Sequence, residues 1–168
     1  VMLSDAELKV VLPALVQYGR VNELIVRILL ATAVRIQALM LAEWAHVDFA
    51  AKTWIIPPGD GRKSDRAFVV PLTATVVGYF SELQVLAGDS RFVLPIQKKM
   101  KGREGDDHMR QQTINEMLKR LCDGLKGKVR HFTPHDLRST ARSHLSVLGV
   151  SVPVAERCLN HSLGGLIA

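Results

Sequence analysis

The stretch FTPHDLRST, residues 132–140, determines how the rest of this 168-residue chain is interpreted. Thr133 followed by Pro134 is typical of the N-cap and the first residue of a helix. His135 and Arg138 lie three residues apart and therefore share one helix face. An imidazole and a guanidinium near the positive end of a helix suit a phosphate. An isolated pair of this kind also fits a surface salt bridge with a nearby acid, and this alternative stays open.

Periodicity on both sides of this stretch predicts a mostly helical chain with one small sheet. Apolar residues at helical spacing indicate helices at about 5–18, 22–33, 36–44, 73–86, 112–122, 133–148 and 152–159. Short β-branched or aromatic runs predict three strands, at 47–49, 53–57 and 67–70, which form an antiparallel meander. An extended piece is expected at 92–94 and a surface loop at 97–107. The predicted fold class is α+β, mostly α, with a three-stranded sheet that must lean on helices.

Composition limits the class of protein. The chain is 48% hydrophobic and 23% charged, which fits one globular domain over 1–168 and excludes a coiled coil, a collagen or a disordered tail. Two cysteines without a C-x-x-C pair, and no apolar run near the ~20 residues that cross a bilayer, predict a soluble cytoplasmic protein with no membrane partner. No signal peptide is visible at the start. The net charge of +6 favours a polyanionic partner.

Four segments, taken in order, resemble the catalytic domain of the tyrosine recombinases, the phage integrase family, and particularly its prophage and genomic-island integrases. They are ATAVR at 31–35, KSDR at 63–66 with VVPL at 69–72, FTPHDLRST at 132–140, and ERCLNH at 156–161. The resemblance covers essentially the whole chain. It implies the tyrosine-recombinase catalytic fold and site-specific recombination of double-stranded DNA at attachment sites. It also implies other integrase protomers as partners and a location at the nucleoid.

The resemblance also assigns five catalytic residues. Arg35 and Arg138 would grip the non-bridging oxygens of the scissile phosphate, a task that suits the forked guanidinium. Lys63 would protonate the departing 5′ oxygen. His135 would exchange a proton with the nucleophile, and His161 would donate a hydrogen bond to a non-bridging oxygen. In the family the nucleophile is a tyrosine that forms a 3′-phosphotyrosyl link.

The sequence departs from the family pattern at several points. The nucleophilic tyrosine is expected about nine residues beyond His161, where this sequence has none, and Tyr18 and Tyr79 are interpreted as packing residues. The nucleophile segment and the N-terminal core-binding domain are therefore expected to be absent: either the final helix was lost or cut away, or another chain supplies the tyrosine. Ala33 replaces a glycine, which is tolerable if its φ stays negative. Ala38 replaces an acidic residue expected to orient the first arginine.

Several alternatives remain beside the main interpretation. Lys52, in the first strand turn, competes with Lys63. Cys122, Cys158, His144 and His161 fit no zinc spacing, and no metal or cofactor is expected. His46, His108 and His131 stay unassigned, and Trp44 and Trp54 are expected in the core. The rival functions are a non-enzymatic DNA-binding remnant of a truncated integrase and a type IB topoisomerase-like activity.

Overall fold

The computed structural model describes residues 2–59, 66–96 and 105–160. The helices in this part of the chain are α1 Asp5–Ala14, α2 Arg20–Thr32, α3 Ile36–Met40, α4 Ala74–Ala87, α5 Gln111–Gly124, α6 Pro134–Val147 and α7 Val152–Cys158. The strands are β1 Val47–Asp48, β2 Thr53–Ile56 and β3 Phe68–Pro71, in an antiparallel sheet of order β1-β2-β3. The predicted α+β class, mostly α with a three-stranded meander, is confirmed.

Two predicted helices are shorter than expected. The first changes at Leu15 into a 3-10 turn that ends at Tyr18, shortly after Pro13, which cannot donate a helical hydrogen bond. The third ends at Met40 instead of residue 44. Beyond it the backbone exchanges hydrogen bonds with the extended segment 91–93, at 2.8 and 3.0 Å, and these bonds replace further helical ones.

The chain divides into two compact units. The first comprises Val1–Val34 and Met117–Ala168, and the second is the continuous run Arg35–Glu116. In the first unit α2 packs against α6, and the backbone N–H of Leu3 donates to the hydroxyl of Thr140 at 2.8 Å. The two ends of the sequence therefore build one core.

Tyr18 closes part of this first unit. Its hydroxyl donates to the backbone carbonyl of Arg120 at 3.1 Å. A side chain at Gly124 would place its Cβ 2.6 Å from the Tyr18 oxygen and would displace the Tyr18 hydroxyl. These contacts agree with the interpretation of Tyr18 as a packing residue.

A buried carboxylate lies on α2. Glu23 is 3% exposed, and its two oxygens bind Arg20 at 2.8 Å and Arg27 at 2.9 Å. Burial raises the pKa of Glu23, but the hydrogen bonds and charges of the two arginines outweigh it, so the pKa lies below the usual 4.5. The group is therefore ionised in the folded protein at neutral pH.

In the second unit the sheet leans on α4, as predicted. Trp54 and Ile56 of β2 point inward, and the Trp54 ring lies 5.6 Å from that of Phe80 on α4. Trp44 meets the same Phe80 ring edge-on at 6.5 Å, but it is only half-buried, so Trp54 is the true core anchor. No helix in the described ranges is long and apolar enough to cross a membrane.

Candidate active site

Helix α6 begins with a capping box. The Thr133 hydroxyl accepts from the backbone N–H of Asp136 at 3.4 Å, and the Asp136 carboxylate accepts from the backbone N–H and the hydroxyl of Thr133, both at 2.8 Å. The predicted N-cap and the proline at the first position, Pro134, are confirmed. The carboxylate of Asp136 supplies the negative charge at this helix start.

Arg138 is buried within the first unit. Its guanidinium donates through Nη1 to the carbonyl of Ala33 and through Nη2 to the carbonyl of Leu159, the latter at 2.5 Å. The residue is 8% exposed, so this arginine does not lie on the surface. Carbonyl oxygens orient a guanidinium through charge-assisted hydrogen bonds. The geometry keeps a cation fixed between three segments of the sequence.

Those three segments are parts of separate predicted motifs. Ala33 lies in the motif at 31–35, Arg138 in the motif at 132–140, and Leu159 in the motif at 156–161. Ala33, Leu159 and Ala141 of α6 also form a buried apolar cluster. The Arg138 guanidinium thus contacts two residues that lie 105 and 21 positions away along the sequence.

The backbone of Ala33 corrects one expectation. Its φ is +53°, in the left-handed region, whereas the sequence interpretation required a negative value. The residue ends α2, and its N–H donates to the carbonyl of Leu29, as in a left-handed helix cap that normally contains glycine. Alanine adopts this conformation at a cost of about 1 kcal/mol. The packing of Ala33 beside Leu159 and Ala141 holds it there.

Replacing Ala33 by glycine is therefore expected to raise the free energy of unfolding by about 0.5–1 kcal/mol. Thermal or urea denaturation measures the change. The matched control is Ala31→Gly, the same substitution inside α2, which should destabilise by about 1 kcal/mol. Loss of stability in Ala33→Gly would show that packing of the methyl group outweighs the backbone strain.

The other predicted residues are placed individually. His135 lies in the first turn of α6 and is exposed. Arg35 opens the second unit as the N-cap of α3; it is half-buried, and its carbonyl accepts from the backbone N–H of Ala38 at 3.0 Å. Lys63 and His161 lie outside the described residues. Their roles, and the convergence of all five on one phosphate, remain predictions.

Lys52 remains the alternative to Lys63. It occupies the turn between β1 and β2 with a φ of +53°, and its carbonyl accepts from the backbone N–H of Leu72 at 2.8 Å. Its side chain is exposed. The backbone of Lys52 thus has a structural role in the meander, and nothing in this geometry decides between the two lysines.

The sequence interpretation missed one pair of residues beside Arg138. Arg142, one turn further along α6, binds Oε1 of Glu156 on α7 through Nε at 2.7 Å and through Nη2 at 2.6 Å. The signal was present in the sequence, because residues four apart on a helix share a face and Arg142 follows Arg138 by four. Without a partner assigned on α7, that spacing could not be distinguished from ordinary surface charge.

The remaining cysteines and histidines form no further site in the described ranges. Both cysteines are free thiols; Cys122 is buried, which raises the pKa of its thiol, and Cys158 is exposed. His144 faces Asp5 at 3.5 Å on the surface. Among residues 2–59, 66–96 and 105–160, no three His, Cys, Asp or Glu side chains come together as a metal site would require.

Most of the chain matches one known protein family. Residues 5–164 match the model of the Phage integrase family. Prophage integrase IntA of Escherichia coli (strain K12) is 32% identical over 120 residues, which are 71% of this chain and 26% of that protein. Tyrosine recombinase XerA of Thermococcus onnurineus (strain NA1) is 27% identical over 161 residues, 95% of this chain and 54% of that protein. The chain thus spans between about a quarter and about half the length of these relatives.

A solved structure shows the same fold. The Tn1549 transposon integrase, in complex with a circular intermediate DNA, superposes with a TM-score of 0.76 at 19% identity, over 96% of this chain and 58% of that one. At this level of identity the similarity concerns the fold alone.

Proposed function

Because this chain belongs to the phage integrase family, we propose that it is the catalytic domain of a site-specific DNA recombinase that cleaves and rejoins strands through a 3′-phosphotyrosyl intermediate. One observation carries the proposal: the buried guanidinium of Arg138 holds the carbonyls of Ala33 and Leu159. This contact ties the segment before Arg35 and the segment before His161 to the helix that bears His135. A common phosphate gives a chemical reason for such convergence.

The proposed chemistry needs no metal. Arg35 and Arg138 bind the non-bridging oxygens and offset the charge that develops in the pentacoordinate transition state. The tyrosine oxygen attacks phosphorus, the bond to the 5′ oxygen breaks, and Lys63 delivers a proton to that oxygen. His135 accepts the proton of the nucleophile, while His161 donates a hydrogen bond to the phosphate. Rejoining runs the same steps in reverse.

The partners of the proposed reaction are double-stranded DNA at attachment sites and other integrase protomers. The Tn1549 integrase, whose fold this chain shares, is bound to DNA in its structure. We place the action of this protein at the nucleoid, on DNA of a prophage or another mobile element. The nucleophile is assigned to a tyrosine outside residues 1–168.

A second function, DNA binding without cleavage, is favoured by the tyrosines. The sequence contains two, and the hydroxyl of Tyr18 is engaged with the carbonyl of Arg120. Tyr79 lies half-buried on α4 of the second unit. A protein that carried the phosphate-binding residues without a nucleophilic tyrosine would occupy DNA without cleaving it.

A nicked duplex that traps the covalent intermediate is expected to give no adduct with residues 1–168 and an adduct with the longer protein from the parent reading frame. Denaturing gels measure the product. Tyr18→Phe and Tyr79→Phe are the controls and should leave the adduct of the longer protein unchanged. No adduct from a parent protein that carries a tyrosine about nine residues beyond His161 would overturn the recombinase proposal and support the remnant. An adduct from residues 1–168 would refute our placement of the nucleophile.

A further inference from the structure

Helix α7 has little local support. It has seven residues, too few for a helix that is stable in water by itself, and its N-cap residue, Ser151, makes no side-chain hydrogen bond to the helix. Val152 and Val154 on its surface are about half exposed. The position of α7 therefore depends on its contacts with the rest of the first unit.

Two of those contacts join α6 to the end of α7, and they lie about one helical turn apart on each helix. Arg138 and Arg142 are four residues apart on α6, and their partners, Leu159 and Glu156, are three residues apart at the end of α7. Nε and Nη2 of Arg142 bind the same oxygen of Glu156, at 2.7 and 2.6 Å. The Arg142–Glu156 contact thus sets the distance and rotation of α7 next to the Leu159 carbonyl, which Arg138 binds.

We propose that Arg142 and Glu156 are positioning residues for Arg138: their ion pair holds the end of α7 so that the Leu159 carbonyl keeps the Arg138 guanidinium in its phosphate-binding orientation. The proposal rests on the proposed function, in which Arg138 binds a DNA phosphate. Neither Arg142 nor Glu156 needs to touch DNA.

The ion pair is partly buried. The Arg142 side chain is 42% exposed, whereas the Glu156 side chain is only 12% exposed. Loss of the Glu156 charge is therefore expected to cost stability as well as orientation, so the tests measure the orientation of Arg138 separately from stability.

Glu156→Gln tests the proposal, because simple electrostatics and positioning predict opposite signs. Loss of one negative charge should strengthen binding of the 168-residue chain to a DNA duplex. If Glu156 positions Arg138, binding should instead weaken about tenfold, the order of loss expected when a partner that orients a binding group is removed. Titrations with two unrelated duplexes at fixed salt measure the change.

The matched control is Glu7→Gln. Glu7 is also a partly buried carboxylate of the first unit: it pairs with Arg130 at 3.5 Å, and it accepts from the backbone N–H and hydroxyl of Ser4 at the start of α1. Its loss should leave DNA affinity equal or slightly higher. In an Arg138→Lys background, which lacks the forked guanidinium, Glu156→Gln should weaken binding no further. With Arg138 intact, the reversed pair Arg142→Glu/Glu156→Arg should restore part of the affinity that Glu156→Gln loses.

Unchanged or stronger DNA binding by Glu156→Gln would overturn the proposal. An equal loss of DNA affinity from Glu156→Gln in the Arg138 and Arg138→Lys backgrounds would overturn it too. The ¹⁵Nε resonance of Arg138, recorded without DNA, gives a second measurement that does not depend on binding. It should shift in Glu156→Gln and not in Glu7→Gln; an unmoved resonance refutes the positioning role. If Arg138 substitutions leave DNA binding unchanged but this resonance shifts, the proposed function fails and the positioning contact stands.

Discussion

Replacing Arg138 by alanine is expected to lower the free energy of unfolding by about 3 kcal/mol, because two buried carbonyl oxygens lose their donors at once. Those oxygens belong to Ala33 and Leu159. The same substitution should weaken DNA binding about tenfold or more, equally for unrelated duplexes, and lower the slope of log K against log salt by about one. Urea denaturation and binding titrations at several salt concentrations measure the two effects.

Arg130→Ala is the matched control for this prediction. Arg130 also carries a charge in the first unit, but it is exposed and pairs with Glu7 at 3.5 Å. Its removal should leave the free energy of unfolding nearly unchanged. Wild-type stability in Arg138→Ala would contradict the buried carbonyl contacts. Wild-type affinity and salt slope would contradict the phosphate-binding role.

Replacing Glu23 by glutamine is expected to destabilise the protein by about 2 kcal/mol at neutral pH. Glu23 is almost fully buried, whereas its partners Arg20 and Arg27 have side chains 46% and 30% exposed and can be rehydrated. Because the folded pKa of Glu23 lies below 4.5, its contribution is present above the unfolded pKa and is lost as the pH falls through the folded value.

Denaturation between pH 7 and pH 3 measures both parts of this prediction. The wild-type chain should lose more stability on acidification below about pH 4.5 than Glu23→Gln, so the two curves converge. Asp123→Asn is the control, because Asp123 forms an exposed ion pair with Lys119 on α5 at 2.8 Å. Curves that stay parallel down to pH 3 would show that Glu23 does not supply this pH dependence.

The sequence alone predicts those elements whose causes are local. The start of α6 depends on Thr133 and Asp136, three residues apart, so the N-cap could be identified from the sequence. The β-branched and aromatic run at 53–57 likewise predicted a strand, and the structure has β2 at Thr53–Ile56. The carboxylate of Asp136 in the capping box could also have been predicted from this spacing.

The environment of Arg138 could not be predicted, because its partners lie 105 and 21 residues away along the chain. The left-handed backbone of Ala33 was missed for a related reason. Alanine intrinsically avoids positive φ, and only the tertiary packing with Ala141 and Leu159 imposes it. Sequence periodicity reports which face of a helix is buried, but not which distant carbonyl meets a given side chain.

The division of the chain into a continuous unit and a unit built from both ends has a consequence for protein synthesis. A ribosome completes residues 35–116 well before it reaches Thr140, whose hydroxyl accepts the hydrogen bond from Leu3, 137 residues earlier. Until then the apolar face of α2 has no α6 to cover it, and the nascent chain exposes it to chaperones and to other chains. The contacts of Arg138 with the carbonyls of Ala33 and Leu159 can therefore form only after translation has passed residue 159.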